Sequence, residues 1–182
     1  MEPDIIPEEH LQEKLNEIFK TWPPHPSGDI YFTDLPTLAQ QIDKSARIID
    51  VGCGLNLYKQ HFVNLIGIDP ATDEADYKVT VEEFVTDQRF EIAFCFGSIN
   101  YGSESRVKTQ IAKTVDLLEP ENTIYWRQRP YIKDNPYHNR VQVFDWTLEK
   151  NKEFCQYFGY TLDQYETEPN TRVYAKWIKS NT

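Results

Sequence analysis

The stretch "RIIDVGCGLNLYKQHFVNLIGIDP", residues 47–70, decides how this chain is read. An apolar run ends at Asp50, a turn containing Gly52 and Gly54 follows, and a second apolar run closes at Asp69. Continuous apolar runs of four or five residues are the pattern of strands buried on both faces of a parallel sheet. Glycines directly after a strand let the backbone turn tightly and approach a ligand where side chains would collide. Residues 55–62, between the two runs, read as a helix whose free amides would face a carboxylate or phosphate.

Outward from this stretch the pattern keeps alternating. Strands are expected at 47–51, 65–69, 77–81, 91–96 and 123–126, and helices at 55–62, 103–118 and 148–158. "YTLDQYETEPNTRVYAKWIKS" (160–180) reads as two alternating strands about a Pro-Asn-Thr turn. The expected fold is α/β: a Rossmann-like, seven-stranded, mostly parallel sheet with helices on both faces and a C-terminal antiparallel hairpin. One connection is awkward, because "PATDEAD" (70–76) is too short for a helical crossover between parallel strands. Either that helix is lost or the third strand lies elsewhere. Upstream, "PEEHLQEKLNEIF" (7–19) has Pro7 at its start, acids in its first turn, and Leu11, Leu15, Ile18 and Phe19 on one face, hence an amphipathic helix. "TWPPHPSGD" (21–29) is a loop by composition, and "DLPTLAQQI" (34–42) a short helix. Residues 1–46 are therefore expected to form a helical extension or lid, and 47–182 one compact unit.

The chain has 182 residues, 40% apolar and 26% charged, which suits one soluble domain with a core of its own. No run approaches the length of a membrane span, and "MEPDIIPEEH" has no basic region followed by an apolar stretch, so neither a membrane nor a secreted protein is expected. Cys53, Cys95 and Cys155 are an odd, scattered set that reads as reduced thiols in a cytoplasmic protein. A net charge of −10 opposes non-specific nucleic-acid binding, which depends on neutralising phosphates; nucleic acid is disfavoured without being excluded. The one basic stretch, "YWRQRPYIKDNPYHNR" (125–140), gathers Arg127, Arg129, Lys133, His138 and Arg140 among tyrosines. His10, His25 and His61 have no partners at metal-ligand spacing, so no metal site is expected.

In open parallel sheets ligands sit beyond the carboxyl ends of the strands, beside the first one. Asp69, ending the second strand, is placed to accept hydrogen bonds from two ribose hydroxyls, so the ligand should carry a ribose and an anionic or zwitterionic group. NAD and S-adenosylmethionine both qualify. A nicotinamide fingerprint needs G-x-G-x-x-G, and Leu57 occupies the place of its third glycine. "IIDVGCG" followed by "IGIDP" instead resembles the first two motifs of the class I S-adenosylmethionine-dependent methyltransferases. "RFEIAFCFGSINYG" (89–102) looks like that family's fourth strand and the loop beneath the methyl group, and "LLEPENTIYW" (117–126) like its turn and fifth strand. "FGY" and "NTRVYAKW" match its last helix and hairpin, so residues 47–179 follow the pattern; "GSINYG" and "IYWR" are similar to small phage-encoded members.

The resemblance implies S-adenosylmethionine as cofactor and assigns roles. Asp50 would meet the amino group of the methionine moiety, Gly52, Cys53 and Gly54 would line the turn against the nucleoside, and Asp69 would take the ribose. The adenine contacts fall on Thr80 and Val81, with Glu82 and Glu83 just beyond; the family more often has an acid followed by a small apolar residue there. Asn56 stands where many members have a third glycine. Ser98 would face the sulfonium. Methyl transfer chiefly needs the acceptor aligned and, where it has a proton, deprotonated. Tyr101, which could also rest its ring near the cation, and His138 are the catalytic candidates, against ordinary roles as a packed aromatic and a surface imidazole. The 127–140 stretch lies where this family carries substrate determinants. The acceptor is expected to be a small molecule or protein. If the arginines face the methyl group it should be anionic. Rival readings are a catalytically silent cofactor-binding subunit, an aminopropyl transferase and a nicotinamide oxidoreductase.

Overall fold

Four consecutive apolar or acidic residues, Ile48–Val51 (β1), are all buried, as a strand with neighbours on both edges and cover on both faces must be. The computed structural model describes residues 6–20, 35–129, 141–167 and 172–180. Among these, β1 is parallel to Leu65–Ile68 (β2) on one side and to Phe90–Phe96 (β3) on the other. Strand β3 is parallel to Leu118–Gln128 (β4). Tyr160–Thr167 (β5) and Val173–Lys179 (β6) form an antiparallel pair, and β6 also runs antiparallel to β4. Among the described residues the mixed sheet has six strands in the order β2-β1-β3-β4-β6-β5. The expected turn of the hairpin lies outside the described residues.

The seventh strand, expected at 77–81, is absent. Tyr77 makes one parallel bridge to Ile68, and residues 81–83 form a turn. Seven residues cannot build a helix that returns the chain to the sheet, so the segment folds back along the outer edge of β2. There the Asp76 carboxylate accepts the Gly67 N–H at 2.9 Å, and the Gly67 carbonyl accepts the N–H groups of Asp76 and Tyr77. The expected helix at 55–62 shrinks to one 3-10 turn, Leu57–Gln60. Asn56 stands before it in the left-handed conformation, at φ 54°, and its amide donates to the Glu74 carbonyl at 3.1 Å. A helix cannot pass through a residue held in that region. No helix dipole therefore faces the site from this turn. The short helix expected at 34–42 is likewise a single 3-10 turn, Thr37–Ala39.

Helices were expected on both faces, and among the described residues the α-helices that pack on the sheet cover one. Glu104–Asp116 (α2), capped by the Ser103 hydroxyl, and Leu148–Phe158 (α3), capped by Thr147, share one core cluster with Ile49, Ala93, Cys95, Ile124 and Trp126. The opposite face, carrying Ile48, Phe94 and Tyr125, is covered by Ala39 and Phe62 from the segments around the two 3-10 turns. Trp126, Trp146 and Trp177 are fully buried on the α-helical side; Trp146 donates to the Ile99 carbonyl at 2.9 Å and Trp177 to Asn151 at 3.1 Å. The amphipathic stripe of the first helix, Glu8–Lys20 (α1), buries Leu11 and Leu15 against Val141 and Tyr101. No described helix is long and apolar enough to cross a membrane.

Candidate functional site

The carboxyl ends of β1 and β3 open into a cavity of about 430 Å³. Its floor depends on two glycines. Gly52, at φ 71°, leaves β1 with its N–H on the Ile68 carbonyl; a Cβ there would lie 2.2 Å from the Cβ of Ser98, so the loops after β1 and β3 can touch only if this residue is glycine. Gly54, at φ 54°, donates its N–H to Asp69 Oδ2 at 3.0 Å, while Ala71 donates to Asp69 Oδ1 at 2.8 Å. Asp69 thus ties the glycine turn to its own loop. Each of its oxygens can still accept a further hydrogen bond.

The candidates named from the sequence gather here. Asp50, Gly52, Cys53, Gly54, Asp69, Thr80, Val81, Ser98 and Tyr101 all line the cavity. Asp50 is 1% exposed and its Oδ2 has no hydrogen-bond partner among the described residues. Burial, and then the charge of Asp69, push its carboxyl up to about 8. Burial also raises the Cys53 thiol far above its ordinary range, which keeps it protonated and unreactive. Thr80 is engaged, with both its N–H (3.1 Å) and its hydroxyl (2.9 Å) donated to Glu83 Oε2. Next to it Glu82 lines the cavity with a buried Oε2, and neither this oxygen nor the buried Ser98 hydroxyl has a hydrogen-bond partner among the described residues. The Tyr101 ring packs 5.7 Å from that of Phe19. His138, with Lys133 and Arg140, lies outside the described residues. No group of three or more His, Cys, Asp or Glu side chains suited to a metal occurs among the described residues.

Some lining residues were not singled out from the sequence. Gln12 and Asn16 reach the cavity from the first helix, beside Phe19 of its apolar stripe, and Arg106 and Gln110 reach it from α2. Arg106 donates to Gln12 Oε1, and the Ser103 hydroxyl to Glu8 Oε1 at 2.8 Å, so the two helices are joined by polar pairs. Gly102, at φ 95°, allows this approach: a Cβ there would meet Arg106 Cδ at 2.6 Å and Leu11 Cδ2 at 2.9 Å. The only available sequence signal was that Gln12 and Asn16 flank the apolar stripe one helical turn apart. Arg172, just before β6, also lines the cavity.

No protein-family model matches the chain, and no characterised protein sequence compared with it does so either. Its shape has counterparts among solved structures. The 1,6-didemethyltoxoflavin-N1-methyltransferase of Burkholderia thailandensis, bound to 1,6-didemethyltoxoflavin and S-adenosylhomocysteine, is 15% identical with a TM-score of 0.71, over 98% of this chain and 92% of that one. The N-methyltransferase NodS of Bradyrhizobium japonicum WM9, in complex with S-adenosylhomocysteine, is 12% identical with a TM-score of 0.71, over 94% of this chain and 100% of that one. Magnesium protoporphyrin IX methyltransferase of Synechocystis PCC 6803, with bound SAM, is 9% identical with a TM-score of 0.63, over 93% and 97%. The chain has the class I S-adenosylmethionine-dependent methyltransferase fold. At these identities the likeness speaks for the fold.

Proposed function

We propose that this chain is an S-adenosylmethionine-dependent methyltransferase whose acceptor is a small molecule or a protein. The observation that carries this reading is Asp50 Oδ2, a carboxyl oxygen buried at the cavity wall with no hydrogen-bond partner among the described residues. A buried acceptor left unpaired is costly, and a cationic amino group entering the cavity would satisfy it. The other groups fit the same ligand. Asp69 retains acceptor capacity for ribose hydroxyls, and Glu82 Oε2 is a second acceptor with no partner among the described residues, suited to the exocyclic amine of adenine. Val81 offers an apolar contact to the ring. Leu57 in place of a third glycine weighs against a dinucleotide.

When bound, S-adenosylmethionine supplies an electrophilic methyl group. The protein's own part is to hold and orient. Gly52, Cys53 and Gly54 form the turn under the nucleoside, and Ser98 faces the sulfonium end. Tyr101 stands at the acceptor side as the catalytic candidate, with His138 the second. The first helix serves as a lid over the site and excludes water, with Leu15 and Phe19 on the cavity. The three free cysteines support a reducing, cytoplasmic setting. Calorimetric titration with S-adenosylmethionine, S-adenosylhomocysteine and NAD tests the reading. The sulfur nucleosides should bind and NAD should not; binding of NAD alone would replace the proposal with a nicotinamide enzyme.

A further inference from the structure

Among the described residues, Arg106, Arg127, Arg129 and Arg172 line this cavity, four of the chain's seven arginines, against Lys20 alone of its twelve lysines. In a chain of net charge −10, solvated positive charge at random would have drawn more on lysine. Arginine is the side chain that binds planar carboxylate and phosphate groups through two parallel hydrogen bonds.

The placement is as selective as the choice of residue. Asp50 lies on β1, Asp69 follows β2, and Glu82 lies in the turn beyond it. Arg127 lies near the end of β4, in register with Phe96 of β3 and Tyr174 of β6, its guanidinium carbon 5.4 Å from the Tyr174 ring centroid. Arg129 follows β4, with its N–H donated to the buried Asn100 side chain at 3.4 Å, and Arg172 precedes β6. Along the sheet the cavity wall therefore changes sign from acidic at β2 and β1 to basic at β4 and β6. Strands are spaced about 4.8 Å apart, so β2 and β4 lie roughly 14 Å from each other. The four arginines come from three places in the chain, α2, the end of β4 and the residue before β6, and all line one cavity. The cofactor's single carboxylate needs only one such fork.

Resting on the methyltransferase reading of this same site, we infer that the methyl acceptor is a small anionic molecule, held through a carboxylate or phosphate by Arg127, Arg129 and Arg172. Its apolar part lies against Phe19 and Tyr101.

Calorimetric titration of the full chain with benzoate, phenyl phosphate and neutral benzamide, each with and without saturating S-adenosylhomocysteine, tests this. At least one anion should bind tenfold or more tightly than benzamide, and the stronger of the two tells carboxylate from phosphate. Its affinity should fall tenfold or more in Arg127→Gln and Arg129→Gln. Arg172→Gln, outside the strands, keeps the test available if Arg127→Gln fails to fold. S-adenosylhomocysteine affinity should stay within twofold in at least two of the three variants. Absent anion binding, benzamide binding as well as benzoate, or unchanged anion affinity in every folded variant would overturn the inference. So would a tenfold loss of S-adenosylhomocysteine affinity in all folded variants, which would assign the arginines to the cofactor. Failure of wild-type protein to bind S-adenosylhomocysteine would instead remove the methyltransferase reading, and the anion titrations without it would still judge the arginines.

Discussion

β1 and β2, four residues each, carry the acidic half of the cavity, whereas β4 and β6, eleven and seven residues long, carry its arginine half. The two halves are held in shape by different means. On the acidic side, side chains bond to backbone across loops: Asp69 to Gly54 and Ala71, Asp76 to Gly67, Asn56 to Glu74. On the arginine side the long ladders and the packed rings of Trp126, Trp146 and Trp177 do the work. Ligand affinity and fold stability should therefore be separable. Changes near β1 and β2 should act mainly on binding, and changes behind β4 and β6 mainly on folding.

The largest effect is expected from Trp177→Ala. The side chain is fully buried, lies 4.7 Å from Trp126 between ring centroids, and donates to Asn151. Loss of its packing should cost about 3–5 kcal/mol, read by denaturant unfolding, while the folded fraction binds S-adenosylhomocysteine as before. A weakened cofactor in folded protein would break the separation. Asp69→Asn should cost about 1.5–3 kcal/mol of cofactor affinity, a ten- to hundredfold loss by calorimetry. Asparagine is the sharper choice over alanine, since it keeps one acceptor for the Gly54 or Ala71 N–H where alanine removes both.

A smaller effect concerns pH. Asp50 is raised from 3.8 to about 8 by burial and by Asp69. The native state thus keeps a proton that the unfolded chain has already lost between about pH 4 and 8. Its contribution to stability is full below about pH 4 and lost as pH rises through about 8, so unfolding at pH 8.5 should need less denaturant than at pH 6. Cofactor affinity runs the other way, because an ammonium favours the ionised carboxylate: it should climb by up to about tenfold per pH unit toward 8. Asp50→Asn should flatten both profiles. The smallest effect is expected from Asn56→Gly. Glycine adopts the left-handed conformation freely, so only the amide bonds are lost, about 1 kcal/mol or less in thermal unfolding.

The apolar runs of β1 and β2 and the helices expected at 103–118 and 148–158 were legible because each is written in contiguous residues. The lost third strand was half legible: seven residues between Asp69 and Tyr77 announced a conflict, and chain length alone could not say which element would yield. The 55–62 helix misled because its apolar spacing is helical, while the left-handed Asn56 that breaks it is fixed by contacts from Glu74 and Asp76, far along the chain. The cavity floor was legible in Gly52, Gly54 and Asp69. Gln12, Arg106 and Arg172 were not, because they meet only after separate elements dock. Glu82 was seen as a neighbour of the adenine contacts, but which of two adjacent acids turns inward depends on the Thr80–Glu83 turn.

The final strand in sequence order, β6, sits inside the sheet between β4 and β5. On the ribosome, β5 emerges with no partner, and β4 keeps one edge bare until β6 follows. At about 5–20 residues per second the wait is short, yet those unpaired edges are where a nascent chain aggregates or recruits a chaperone. Removing Val173–Lys179 would not trim a border; it would strand β5 and uncap β4 together, and translation would have to reach that segment before the native pairing could close.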